Sequence, residues 1–204
     1  SINATVITKL NGGGAILLGK TNTHEFASGA TNDRSYFGPV KNPYNKNKVP
    51  GGSSGGSGAA LAAHMCPAAL GSDTTGSVRL PSAACGTVGM KATQGRISKY
   101  GVYSLSDSLD HVGPMTRNVE DNAIFMSALA GYDPLDTWSL KLPAIDFGCE
   151  IGLSIKDLVV GVPYSTFNET TEPVICDSIA AVIELLKKLG VKIKEVENLD
   201  PDGS

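Results

Sequence analysis

Two glycine-rich turns constrain this chain more than any other feature. The first is Gly51-Gly52-Ser53-Ser54-Gly55-Gly56-Ser57-Gly58 and the second is Gly71-Ser72-Asp73-Thr74-Thr75-Gly76-Ser77. Each carries serine hydroxyls and runs into a small-residue or apolar segment. Glycine gives the backbone access to positive φ and lets other groups approach the main chain closely. Turns of this kind can aim several N–H donors at one oxygen. By composition alone, Gly51–Gly58 reads as a flexible linker. Its flanks oppose that reading: Lys48-Val49-Pro50 precedes it, and the helix formers Ala59-Ala60-Leu61-Ala62-Ala63 follow it. Both sides look like parts of one core.

The chain has 204 residues, enough for one domain with a substantial core. Hydrophobic residues make up 41% and charged residues 18%, with 24 glycines, which describes a globular chain with many tight turns. A net charge of −3 and a pI near 5.6 give no electrostatic case for direct binding of nucleic acid. No apolar run reaches membrane-spanning length, and no signal peptide is visible. Cys66, Cys85, Cys149 and Cys176 are scattered and form no CxxC pair, so free thiols in a cytoplasmic protein are expected.

Periodicity predicts a helix over residues 1–11, with apolar Ile2, Val6, Ile7 and Leu10, stopped by Gly12-Gly13-Gly14. A helix that begins at residue 1 without a capping approach suggests preceding sequence. Ala15-Ile16-Leu17-Leu18 reads as a short buried strand. Gly14–Thr21 also fits the phosphate-loop pattern GxxxxGK[ST]. Its inner positions want burial and the segment before it is helix-like, so it is rejected as a nucleotide site. Further helices are expected over Ser57–Met65 and Arg117–Ala130, the latter with Asn118 as N-cap, Glu120 and Asp121 in the first turn, and Gly131 as stop. Ser77–Cys85 starts another element, Val88–Met90 suits a strand, and Gly95–Leu105 is a loop or hairpin. Strand Leu158–Pro163, helix Val174–Leu189 and strand Val191–Val196 make a βαβ unit, which favours α/β architecture. The reading is a core segment over 1–136 followed by a βαβ-like segment over 137–204.

Ser77 is the best nucleophile candidate, because Asp73-Thr74-Thr75-Gly76 precedes it and can supply consecutive N–H donors. His24, His64 and His111 offer a rival Ser-His-Asp scheme, but nothing in the sequence sets any of them against Ser77. No His/Cys/Asp/Glu cluster has metal-ligand spacing, and no cofactor is implied.

These residues resemble the amidase signature family. The likeness rests on Gly51–Gly58 and on Ala69-Leu70-Gly71-Ser72-Asp73-Thr74-Thr75-Gly76-Ser77-Val78-Arg79-Leu80-Pro81-Ser82-Ala83. Upstream it includes Gly19-Lys20-Thr21-Asn22-Thr23-His24-Glu25-Phe26, and downstream Ser108-Leu109-Asp110-His111-Val112-Gly113-Pro114 with Val119-Glu120-Asp121. The resemblance implies an α/β fold, a mixed sheet core surrounded by helices, here truncated at both ends. It implies an amide hydrolase with Ser77 as nucleophile, Ser53 as bridging serine after a cis Gly52–Ser53 bond, and the Thr74, Thr75, Gly76 and Ser77 backbone as oxyanion hole. Ser54, Asp73 and Arg79 take supporting places, while Asn22 and Glu25 belong to a structural motif. The family's general base is a lysine that falls before Ser1; Lys20 and Lys91 match other positions. Thr75 stands where glycine is commonest in the family. Thr23-His24-Glu25 and Ser108–His111 look more like free-standing amidases acting on small-molecule amides, with a homodimer as an accompanying partner. The alternatives are the A subunit of glutamyl-tRNA(Gln) amidotransferase, with B- and C-type subunits as partners, and a catalytically silent fragment.

Overall fold

The computed structural model describes residues 2–143, 145–167 and 171–197. It divides into two compact units, Ser1–Ile151 and Gly152–Ser204. Helices and sheets alternate through both, and the class is α/β.

The first unit opens on α1, Thr5–Gly12. After a long irregular stretch come α2 (Gly55–Ala62), β1 (Ala68–Asp73), α3 (Arg79–Cys85), β2 (Val88–Gly89), β3 (His111–Thr116) and α4 (Val119–Leu129). The sheet is antiparallel with the order β1-β3-β2. Its register sets Ala68 opposite Thr116 and Asp73 opposite His111. β3 is the central strand although it contains Gly113 and Pro114, residues that argue against a central strand in isolation. Pro114 lacks an N–H but still accepts, through its carbonyl, from Met90 N at 3.1 Å and Asn122 Nδ2 at 3.2 Å.

Two apolar clusters flank this sheet. Val6, Ala92, Ile97, Val112, Met126 and Leu129 bury α1 and α4 against β3 and the loop before it. Leu61, Val78 and Met115 join α2, the turn before α3, and β3. The helix start at Asn118 is as expected: its Oδ1 accepts from Asp121 N at 2.7 Å. The other end of α4 is closed by Lys9, whose Nζ donates to the carbonyls of Leu129 (3.0 Å) and Ala130 (2.9 Å). A cation on exposed C-terminal carbonyls is favourable both as a hydrogen-bond donor and toward the helix dipole.

One expected element is absent. Ala15–Leu18 is not a buried strand: no other described residues pair with it, and Ile16 is 85% exposed. A strand needs a neighbour for its N–H and C=O groups, and hydrophobicity alone does not supply one. The segment follows a helix and none opens after it before Glu25, the reverse of a phosphate loop. The second unit follows the sequence closely. β4 (Val159–Val162) and β5 (Lys192–Glu195) pair in parallel, joined through α5 (Pro173–Lys188). Pro173 opens α5, where its missing N–H costs nothing, and Lys187 and Lys188 sit in the last turn.

The glycines of α2 explain why a stretch with linker composition is rigid. A Cβ on Gly56 would collide with the Asn22 carbonyl, and one on Gly55 would lie 2.7 Å from Asn32 Cβ. Gly56 N also donates to Asn22 O at 3.0 Å, so helix and loop backbones are in direct contact. Gly56→Ala is therefore expected to cost about 2 kcal/mol or more in urea unfolding, since backbone must move. Gly12→Ala, with nothing within 4 Å of the new methyl, should stay within about 0.5 kcal/mol of the parent. Equal effects from the two would mean that close backbone approach does not fix α2.

Candidate active site

The two glycine-rich turns meet. Ser54 N donates to Ser77 O at 3.2 Å, and Ser54 Oγ accepts from Ser72 N at 3.1 Å. Gly51, at φ +80°, lies so close to α3 that a Cβ there would sit 2.8 Å from Pro81 Cα. Ser53 and Ser77 are thus carried on backbones hydrogen-bonded to one another, and both residues are buried, at 1% and 8% exposure.

The Gly52–Ser53 peptide bond is cis. Ser53 O accepts from His24 N at 2.9 Å, which ties this turn to the loop that contains Asn22. Asn32 supports it from below: Oδ1 accepts from Gly55 N at 3.0 Å, and Asn32 N donates to His24 Nδ1 at 3.2 Å. Ser53 Oγ itself has no hydrogen-bond partner among the described residues, although it is fully buried. Asn32 Nδ2, Ser82 Oγ and Thr87 Oγ1 are likewise buried without a partner among the described residues, but of these hydroxyls only that of Ser53 sits on the turn hydrogen-bonded to Ser77.

Asp73 organises the second turn from within. Its Oδ1 accepts from Gly76 N (2.7 Å) and Arg79 Nη2 (2.9 Å); its Oδ2 accepts from Val78 N (3.1 Å), Arg79 N (3.3 Å) and Arg79 Nε (3.0 Å). Burial pushes the carboxyl up, but the Arg79 guanidinium and the Val78 and Gly76 amides outweigh it and hold it below the usual carboxylate range. Asp73 thereby caps the start of α3 and folds residues 74–77 over itself. Gly76 N–H is engaged by the carboxylate. The amides of Thr74, Thr75 and Ser77 have no acceptor among the described residues. Gly76 alone in this turn takes a positive φ, +134°, so Thr75 stays in backbone territory that a β-branched residue accepts.

Sequence reasoning missed two members of this arrangement. Asn32 gave no signal beyond a polar loop. Asp110 was visible only as part of a motif, yet its Oδ1 accepts the Thr74 hydroxyl at 2.5 Å. The histidines are engaged elsewhere or exposed. His24 Nδ1 accepts a main-chain N–H, His111 lies between Leu109 O (2.6 Å) and Lys91 Nζ (3.3 Å), and His64 is exposed. Among the described residues no group of three or more His, Cys, Asp or Glu is placed to hold a metal ion. No described helix is long and apolar enough to cross a membrane.

The Amidase family profile matches residues 1–203. The chain belongs to the amidase signature family. It is 46% identical over 194 residues to the A subunit of glutamyl-tRNA(Gln) amidotransferase from Geobacter sp. (strain M21), covering 95% of this chain and 40% of that protein. The solved structure of the corresponding A subunit from Thermotoga maritima superposes with a TM-score of 0.92 at 39% identity, covering 96% of this chain and 43% of that one. A bacterial aryl acylamidase of the same family superposes with a TM-score of 0.88 at 31% identity, covering 98% of this chain and 41% of that one. The chain thus spans about 40% of the length of the curated relatives it matches.

The Asp73 geometry carries a pH dependence for this amidase signature chain. A carboxyl whose folded pKa is depressed stabilises the fold above its unfolded pKa of about 3.9, and that stability is lost as pH falls through the folded value. Stability against urea is expected to fall below about pH 4. Asp73→Asn should lower stability by about 2 kcal/mol near neutrality, because Arg79 is half exposed and softens the loss. It should also flatten the acid limb. An acid limb as steep in Asp73→Asn as in the parent would remove Asp73 from it.

Proposed function

We propose that the two turns form the nucleophile-and-oxyanion half of an amide hydrolase acting through an acyl-enzyme. The carrying observation is the buried, unpartnered Ser53 hydroxyl on a turn hydrogen-bonded to that of Ser77. In this reading the Ser77 hydroxyl adds to the amide carbonyl, and its proton passes through Ser53 to a base. The resemblance assigns that base to a lysine upstream of residue 1. The tetrahedral oxyanion is held by main-chain N–H groups of the 74–77 turn. Thr74, Thr75 and Ser77 are its donors, with the Gly76 amide holding the turn's shape through Asp73. The intermediate collapses with cleavage of the C–N bond, the nitrogen takes the proton and leaves, and water then releases the acyl group from Ser77.

Relatives favour one substrate over the aryl and small amides suggested by Thr23–Glu25 and Ser108–His111. The two amidotransferase A subunits stand at 46% and 39% identity, against 31% for the aryl acylamidase. We therefore place glutamine first as substrate, its amide nitrogen released as ammonia to an amidotransferase assembly with B- and C-type subunits. A free-standing amidase is the second reading, which the local motifs support.

In the full-length protein Ser77→Ala is expected to lower kcat by about 10⁴-fold or more, and Ser53→Ala by about 10²–10⁴-fold. Ammonia release from glutamine, with and without co-purified partner subunits, and release from a panel of aryl amides separate the two substrate readings. Residues 1–204 expressed alone should turn over neither class at a comparable rate. Retained turnover in Ser77→Ala would sink the acyl-enzyme, and equal rates from residues 1–204 and the full-length protein would put the base within this chain.

A further inference from the structure

Thr74 is the first residue beyond β1, and Asp110 the last before β3. Because Asp73 pairs with His111 at the end of the antiparallel register, Thr74 and Asp110 are brought opposite each other where the two strands leave the sheet. The Asp110 carboxylate uses both oxygens there. Oδ1 accepts the Thr74 hydroxyl at 2.5 Å. Oδ2 accepts from Ser104 Oγ (2.9 Å), Leu105 N (2.8 Å) and Ser106 N (2.9 Å). The main chain closes the same loop, with Asp110 N donating to Ser106 O at 2.9 Å.

All four donors are neutral, and the carboxylate makes no ion pair among the described residues. Burial pushes its carboxyl up, while the Thr74 hydroxyl and the 104–106 donors outweigh it and keep the group ionised at neutral pH. An ionised carboxylate only accepts, so the Thr74 hydroxyl must donate and its rotamer is set. Thr74 is β-branched, so fixing its side chain also restricts the backbone to which it is attached. Asp73 holds the 76–79 end of the turn, and Asp110 holds the 74 end.

We propose that Asp110 is a positioning residue that acts through the Thr74 hydroxyl to fix the main-chain donors of the 74–77 turn for the oxyanion. This rests on the acyl-transfer reading of Ser77. It predicts a loss that appears in kcat and leaves KM alone, because the donors matter where charge develops and not where the ground-state substrate binds.

The test is a double-mutant cycle in the full-length protein, with steady-state kinetics on glutamine and on an aryl amide. Asp110→Asn is isosteric. Its carbonyl oxygen can keep the three loop donors while its NH₂ faces Thr74, so the loop is retained and the polarity of the contact to Thr74 is reversed. Asp110→Asn and Thr74→Val are each expected to lower kcat about 10-fold with KM within about two-fold, a fraction of what deletion of a whole oxyanion donor costs. The double variant should lose no more than either single one, since both abolish the same hydrogen bond from the Thr74 hydroxyl to a carboxylate. Thr74→Ser, which keeps the hydroxyl, should recover most of the loss. Thermal unfolding of each variant checks the fold. If Asp110→Asn does not fold, the Thr74→Val and Thr74→Ser pair decides, since Asp110 is intact in both. Additive losses, an effect confined to KM, or a Thr74→Val enzyme with the parent kcat would each overturn the proposal. Those results with an inactive Ser77→Ala leave the acyl-transfer reading standing, whereas an active Ser77→Ala removes that reading and this inference with it.

Discussion

The Asp73 carboxylate is the interaction on which the first unit's functional end depends. It is fully buried, and it faces five donor groups drawn from Gly76, Val78 and Arg79. A carboxylate taken out of water is costly unless its lone pairs are met, so residues 76–79 are not free to choose another path. One consequence is local: α3 begins at Arg79 because two of its unsatisfied N-terminal amides find an acceptor. The other concerns chemistry. Gly76 N–H is drawn inward, and the neighbouring amides of Thr74, Thr75 and Ser77 have no acceptor among the described residues. In the proposed mechanism these amides are the donors for the oxyanion.

Glycine works on the other side of the site by a different constraint. Gly51, Gly52, Gly55 and Gly56 each lie where a Cβ would meet backbone or a packed side chain at less than 3.0 Å. The partners differ: Pro81 for Gly51, Gly29 and Asn32 for Gly52, Asn32 and Pro50 for Gly55, Asn22 for Gly56. Three other segments of the chain, at Asn22, at Gly29–Asn32 and at Pro81, therefore converge on one turn at close range. Cys85, on the same helix as Pro81, adds a further contact, its thiol donating to Pro50 O at 3.3 Å, with burial pushing its pKa up to about 11. Such packing buries Ser53, whose hydroxyl has no hydrogen-bond partner among the described residues.

How much of this was legible in the sequence depended on whether the cause was local. Asn118 as N-cap, the stop at Gly131 and the parallel β4-α5-β5 unit all follow from near neighbours, and the chain folds accordingly. β3 does not. His-Val-Gly-Pro-Met-Thr has little strand propensity, and it becomes the central strand because β1 and β2 both need its backbone. The reverse error is Ala15–Leu18, apolar enough for a strand but lacking a partner. In the site, the serines were legible because glycine marks their turns. Asn32 and Asp110 were not, since a lone polar residue in a loop becomes meaningful only when a distant backbone arrives beside it.

That split between local and distant causes bears on the proposed chemistry. The proposed donors and the proposed nucleophile come from one short run, 73 to 79, so a single carboxylate can shape them together. A base cannot be built the same way. It must approach a hydroxyl that is already buried, and if it is a lysine it must lose its proton through desolvation. The three histidines illustrate the difficulty: His24 and His111 sit near the turns yet are committed to main-chain partners that fix the loops. Lys9 is likewise committed, to the carbonyls that end α4, and Lys99 to Asp107. In the proposed mechanism the acceptor for the Ser77 proton lies beyond Ser53. For the proposed chemistry, a buried Ser53 hydroxyl on a turn hydrogen-bonded to that of Ser77 supports a relay, while the engaged histidines weigh against a simple serine–histidine pair.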